Sequence, residues 1–135
     1  MSKVIKINHV AIAVPDLEDS MHFWKDVLGL ELDHIENVPS QKSEVAFFPV
    51  GDSEIELVHP TEEDTGVSKF LEKRGPGIHH LCFEVDDIAG TLELMKEKGT
   101  RLINEHPLEL PGRKMAFVHP KSTGGVLVEL YEVTG

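Results

Sequence analysis

Two histidines and two glutamates occur within or beside apolar, strand-like segments of the chain: His9, Glu56, His80 and Glu129. Imidazole nitrogens and carboxylate oxygens are ligands that divalent transition-metal ions accept, and an ion with open positions can also bind a substrate oxygen. The same side chains serve as general acids and bases. The four residues therefore predict a metal-assisted acid–base centre, provided that the fold brings them together.

An internal repeat relates these residues in pairs. The strand-like segment Asn8–Val14 recurs as His79–Val85, so that His80 follows His9 by 71 residues. The glutamates come at matching places in the last strand-like run of each half of the chain. Unrelated surface residues would rarely match in this way at equivalent positions of a repeat. The match therefore favours a joint role for the two histidines and two glutamates.

Each half of the chain has the pattern of a strand, a helix and three further strands. Apolar steps of four and three residues predict the two helices, which should end near Gly29 and Gly99. The later strands are predicted at Leu30–Glu36, Ser43–Val50, Glu54–Val58, Arg101–Glu105, Lys114–His119 and Val126–Val133.

We therefore predict an α+β fold in which two tandem βαβββ modules form a shared, partly closed sheet around a metal site. One domain should span residues 1–135, because a single module of this size buries little core by itself. Module 1 is expected at about residues 1–60 and module 2 at about residues 78–135. The linker, residues 61–77, should contain a short helix at Val67–Arg74.

Strand alternation predicts which side chains face the metal site. In both first strands the alternate apolar residues should pack on the helix, which leaves His9 and His80 on the opposite face. Glu56 and Glu129 each interrupt an apolar run, and a buried charge of this kind needs a partner. Cys82 has the same parity as His80 and is expected to fill space by packing.

Composition excludes several classes of protein. The formal net charge of −11 disfavours nucleic-acid binding, which needs a basic surface. An apolar run long enough to span a membrane is lacking, so no membrane partner is expected. The single cysteine, Cys82, cannot form an internal disulfide, and a cytoplasmic protein is expected.

With these residues in view, the chain resembles the vicinal oxygen chelate superfamily, which includes glyoxalases, bleomycin resistance proteins and dioxygenases. Within it, the chain resembles the methylmalonyl-CoA epimerase family over nearly its whole length. The matching segments are Asn8–Ala11, Ser43–Phe47, Gly77–Leu81, Val85–Ile88 and His119–Leu130, of which the last is the most specific.

The resemblance implies a metal-dependent isomerase that interconverts (2R)- and (2S)-methylmalonyl-CoA by moving a proton at the carbon between the thioester and the carboxylate. Its ligands would be His9, Glu56, His80 and Glu129, although some epimerases have glutamine at the position of Glu56. Glu44 matches the proposed general base of the family. For the opposite face of the substrate we expect Glu129 or, as an alternative, a water molecule at the metal.

The resemblance also implies the cofactor and the partners. The expected cofactor is a divalent ion, Co²⁺ first, with Zn²⁺, Mn²⁺ or Ni²⁺ as alternatives. The expected substrate is an acyl-CoA, and a homodimer is expected. Arg113, Lys114, Lys121 and Ser122 could form a basic patch for the CoA phosphates.

Two other functions stay open at this stage. A glyoxalase-like lyase or isomerase could use the same two histidines and two glutamates, but it would leave Glu44 without an obvious role. A binding module with the same fold and no turnover would bind a small ligand without a metal. Activity on a hemithioacetal would select the first, and a metal-free protein that binds a small hydrophobic ligand would select the second.

Overall fold

The computed structural model of the chain describes residues 2–135. Helices are α1 (Leu17–Met21, continued by a π-helical turn, His22–Val27), α2 (Gly66–Arg74) and α3 (Ile88–Glu97). Strands are β1 (Val4–Ala13), β2 (His34–Val38), β3 (Ser43–Val50), β4 (Ser53–Pro60), β5 (Gly77–Val85), β6 (Leu108–Leu110), β7 (Arg113–Val118) and β8 (Leu127–Val133). The α+β class and the two tandem βαβββ modules are thus confirmed. No helix within residues 2–135 is both long and apolar enough to cross a membrane.

Equivalent aspartates begin the two repeated helices. The carboxylate of Asp16 accepts a hydrogen bond from the backbone N–H of Asp19, and that of Asp87 accepts one from Gly90. The first backbone N–H groups of a helix have no acceptor within the helix. Each aspartate therefore acts as an N-cap that accepts a hydrogen bond from one of them. The repeat seen in the sequence therefore extends to the way in which the chain turns from strand to helix.

The described part of the chain divides into two compact units, which we call the N-unit (residues 9–79) and the C-unit (residues 2–8 and 80–135). The linker therefore belongs to the N-unit, whereas residues 2–8 belong with the second module rather than the first. Contacts of the amino terminus explain this assignment within the C-unit. The backbone N–H of Lys3 donates to the carboxylate of Asp86, and the N–H of Asp86 donates to the carbonyl of Lys3.

The N-unit has strands in the order β2-β3-β4-β1, with β1 parallel to β4 and the other pairs antiparallel. Ala46, Phe48 and Leu57 are fully buried and pack with Leu17 of α1. On the opposite face Val45 and Val58 pack against Val67 of α2, together with Ala11, Val38 and Phe47. Helices therefore contact both faces of this sheet.

The C-unit has strands in the order β5-β8-β7-β6, with β5 parallel to β8 and the other pairs antiparallel. Its core lies on one face, where Ile88 and Leu92 of α3 pack with Ala116, Val118 and Leu130. Glu132, on the same face by alternation, accepts a hydrogen bond of 2.7 Å from the backbone N–H of Ile88. That bond anchors the start of α3 to β8.

The predicted strand Arg101–Glu105 is wrong, since the strand of this region is Leu108–Leu110. The earlier segment meets β7 at an isolated bridge, Leu102 to Val118. Beyond it the side chain of Asn104 accepts a hydrogen bond of 2.8 Å from the backbone N–H of Phe117. A side chain thus takes the place of a backbone acceptor, so a strand ladder does not continue there.

In the first half, the predicted strand Leu30–Glu36 begins only at His34. The preceding helix is also less regular than the repeat predicts, because its second part, His22–Val27, is a π-helical turn. The spacing of apolar residues locates a helix but does not distinguish these two geometries.

Candidate active site

His9 and Glu56 form a largely buried pair in the N-unit. The parallel register of β1 and β4 places Ala11 opposite Glu56, so that His9 and Glu56 lie on one face of the sheet. His9 Nδ1 lies 3.3 Å from Glu56 Oε2, and the side chains are only 9% and 14% exposed. The carboxylate that interrupts the apolar run of β4 therefore has the partner that its burial requires.

His80 and Glu129 form the corresponding pair in the C-unit. β5 runs parallel to β8 with Cys82 opposite Glu129, and this register puts His80 on the face of Glu129. His80 Nε2 lies 3.1 Å from Glu129 Oε1, with side chains 12% and 7% exposed. The rings of His80 and Phe117 also make a T-shaped contact, at 5.8 Å between ring centroids.

Each pair presents a nitrogen and an oxygen at the spacing of neighbouring metal ligands. Ligands at about 2.1 Å from one ion and at right angles to each other are about 3.0 Å apart. The measured separations, 3.3 Å and 3.1 Å, are close to that value. Imidazole with carboxylate suits borderline divalent ions rather than soft ones, so the residues present fit such an ion.

Glu44 does not lie on the face of the His9–Glu56 pair. β3 and β4 pair without interruption from Ser43 to Val50, with Phe47 opposite Glu56 and Glu44 opposite His59. Glu44 is three residues from Phe47, so alternation points it to the opposite face, which Ala46 shares with α1. The structure therefore does not bring Glu44 to the pair, and its predicted catalytic role stays a prediction that this geometry argues against.

Strand alternation and register place two further residues, Phe117 and Tyr131, on the sheet face of the His80–Glu129 pair. The sequence analysis did not assign either residue to the site. Phe117 pairs with Glu129 across β7 and β8, and Tyr131 follows Glu129 on the same face. Burial raises the pKa of the Tyr131 phenol above its usual value, and the negative charge of Glu129 adds to this while the charge of Arg113 opposes it. Tyr131 therefore keeps its O–H donor at neutral pH.

Cys82 is fully buried on this same face, in register with Glu129. Its predicted role in packing agrees with that burial. Within the strands, parity with His80 is the sequence signal for Cys82, and parity with Glu129 is the signal for Tyr131. The antiparallel register of β7 was needed to place Phe117, and the sequence does not contain it.

Comparisons with known proteins bear on what these pairs do. The profile of the glyoxalase/bleomycin resistance protein/dioxygenase superfamily matches residues 8–117. The chain belongs to this superfamily. Its enzymes bind a divalent metal ion.

Within the superfamily, the resemblance to methylmalonyl-CoA epimerases is confirmed. The chain is 42% identical to the mitochondrial methylmalonyl-CoA epimerase of Mus musculus over 95% of this chain and 73% of that protein. The crystal structure of methylmalonyl-CoA epimerase from Mycobacterium tuberculosis superposes with a TM-score of 0.87 and 36% identity, covering 98% of this chain and 90% of the other. A methylmalonyl-CoA epimerase solved with methylmalonyl-CoA and NH₄⁺ matches with a TM-score of 0.86 and 31% identity, covering 98% and 97%.

Proposed function

We propose that this chain is an epimerase that interconverts (2R)- and (2S)-methylmalonyl-CoA. The observation that carries the proposal is the largely buried histidine–glutamate pair in each unit, His9–Glu56 and His80–Glu129. The relatives named above support the substrate, since they are methylmalonyl-CoA epimerases that match almost the whole chain.

The two pairs together are our proposed ligand set for one divalent ion: His9, Glu56, His80 and Glu129. The ligand spacing within each pair supports this, as does membership of a superfamily of metal enzymes. When bound, the ion would act as a Lewis acid that stabilises negative charge on the substrate oxygens. Co²⁺ is the first ion to test, because the resemblance implies it, and Zn²⁺, Mn²⁺ and Ni²⁺ follow.

Epimerisation requires a proton to leave one face of the substrate carbon and another to arrive at the opposite face. A carboxylate held by an imidazole on a rigid strand can perform such a transfer. We assign one face to Glu129, which is 5% exposed and held by His80. The family resemblance implies Glu44 for the other face, but the register of β3 puts Glu44 on the sheet face opposite Glu56, which favours a water molecule in that role.

The low exposure of both pairs supports a reaction that is shielded from bulk water. Proton transfer is more selective where water is excluded, because stray protons then cannot quench the intermediate carbanion. Phe117 supports this for the C-unit pair, since its ring packs on His80. The phenol of Tyr131 supplies a donor on the same face.

We also propose a cytoplasmic homodimer. Val4, Ile5 and Ile78 are 63%, 57% and 59% exposed in the single chain, which is unusual exposure for strand residues of this type. The one cysteine, Cys82, agrees with a reducing compartment. Light scattering on the purified protein tests the dimer.

Proton NMR of methylmalonyl-CoA in heavy water tests the function. The proton at C2 should exchange with deuterium, and each epimer should convert into the other, when metal-loaded protein is added. Activity on a hemithioacetal and none on methylmalonyl-CoA would instead support a glyoxalase-like enzyme. Binding of acyl-CoA with neither exchange nor conversion would indicate a binding module.

A further inference from the structure

Three basic residues, Arg101, His119 and Lys121, lie close together beside the turn that follows β7 in the C-unit. The backbone N–H of His119 donates to the carbonyl of Arg101 at 3.0 Å, and the N–H of Arg101 donates to Ser122 Oγ at 2.8 Å. Lys121 lies within the turn itself, Pro120–Ser122. Hydrogen bonds of the Arg101 backbone therefore hold this residue next to residues about twenty positions later in the chain.

His119 is oriented as a hydrogen-bond donor within this group. The backbone N–H of Lys121 donates to His119 Nδ1 at 3.0 Å, so the neutral ring carries its proton on Nε2. Burial lowers the pKa of His119, and the charges of Arg101 and Lys121 lower it further, which agrees with both cations acting nearby. An N–H donor next to two cations suits an anion with several oxygens, such as a phosphate.

The group lies at the end of the sheet face that carries the His80–Glu129 pair. Phe117 pairs with Glu129 and touches His80, and His119 is two residues further along the chain. At about 3.3 Å per residue, the extended backbone at His119 lies roughly 7 Å beyond Phe117, just past the end of β7. A substrate whose reacting end is at Glu129 could therefore extend toward this group.

The basic patch expected from the sequence is divided by the structure. Arg113 and Lys114 lie at the start of β7, at the end of the strand away from Lys121. Arg113 stacks over the ring of Tyr131 at 5.9 Å, and Lys114 Nζ lies 3.9 Å from the carboxylate of Glu109. Lys121 therefore has Arg101 and His119, rather than those two residues, as its basic neighbours.

We propose that Arg101, His119 and Lys121 bind phosphate groups of the CoA moiety. The inference rests on the proposed function, because it assumes that the reacting end of the acyl-CoA lies at the His80–Glu129 pair. A chain with a net charge of −11 repels a polyanionic ligand in general, so binding needs a local cationic surface.

Two substrates with the same reacting atoms test this: methylmalonyl-CoA and the methylmalonyl thioester of N-acetylcysteamine, which has no phosphate. The variants are Arg101→Gln and Lys121→Gln, with Lys73→Gln on α2 as the matched control for loss of an exposed positive charge. The fold should persist in these variants, because the backbone and Ser122 make the hydrogen bonds that hold the loop. Thermal melting verifies that it does.

For methylmalonyl-CoA, each patch variant should raise KM by about ten-fold with little change in kcat, the effect of losing one charge-assisted hydrogen bond. The preference of the wild type for the CoA substrate should become smaller, while kcat/KM for the truncated thioester stays the same. His119→Asn should also raise KM, since asparagine can still accept from the N–H of Lys121 but lacks the ring donor.

Values of KM equal to that of the control would overturn the proposal, and so would equal losses with both substrates. If the wild type epimerises neither thioester, the proposed function fails, but the phosphate site is still decided by titrating the whole protein with CoA in a calorimeter. Weaker CoA binding by Arg101→Gln than by Lys73→Gln would then support the site. Equal binding would refute it.

Discussion

The substitution Glu44→Gln tests two conflicting expectations for this residue. The family resemblance implies that Glu44 is a general base, whereas the register of β3 places it on the sheet face opposite Glu56. If Glu44 is the general base, epimerisation should fall by at least about a hundred-fold. If Glu44 instead lies on the α1 face, the substitution alters its cross-strand pairs with His59 and Asn37. Such pairs contribute about 0.2–1 kcal/mol, so we expect a small loss of stability and at most a few-fold change in rate.

The assay follows C2 proton exchange of each epimer separately by NMR in heavy water, with metal content and thermal melting measured on the same samples. Glu36→Gln, on the exposed strand β2, is the matched control for removal of a strand carboxylate. A hundred-fold loss with metal and fold retained, and with exchange stopped for only one epimer, would refute the reasoning from register. It would restore Glu44 as the base for that face.

Three further predictions concern the metal and acid stability. His9→Ala or His80→Ala should remove the bound ion and abolish turnover, which elemental analysis and the NMR assay measure; a variant that keeps both would exclude that residue as a ligand. Glu56→Gln should lose less metal than either histidine variant, because the amide still offers an oxygen, and an equal loss in the same analysis would contradict this. The backbone N–H of Lys3 lowers the pKa of Asp86 from its ordinary 3.8, so the stabilisation is present above that value and is lost as the pH falls through the lower folded pKa. Asp86→Asn should therefore flatten the acid side of a melting-temperature profile, and an unchanged profile would argue against this contact.

The register of β3 shows where sequence reasoning reached its limit. Alternation within the strand correctly groups Glu44 with Ala46 and Phe48, but it does not reveal which face carries the site. That follows from pairing with β4, where Phe47 meets Glu56. Pairing joins segments that are distant in sequence and depends on how both strands pack, so a local pattern does not contain it.

The segment Arg101–Glu105 shows a second limit. Its residues fit a strand, yet the Asn104 side chain takes over one of the hydrogen bonds that a neighbouring strand would make. Nothing in the local sequence distinguishes this use of asparagine from an exposed loop residue. The same loop brings Arg101 to His119 and Lys121, so the basic group proposed for CoA also became visible only in the structure.

The sequence by itself determined the repeat, the α+β class and the two histidine–glutamate combinations, because duplication preserves residue type and strand alternation has a fixed period of two. Tertiary structure decided which atoms meet: His9 with Glu56, His80 with Glu129, and Phe117 against His80. It also decided that Glu44 lies on the sheet face opposite Glu56 and that residues 2–8 join the second module. These outcomes depend on strand register and on packing between distant segments, which no local pattern specifies.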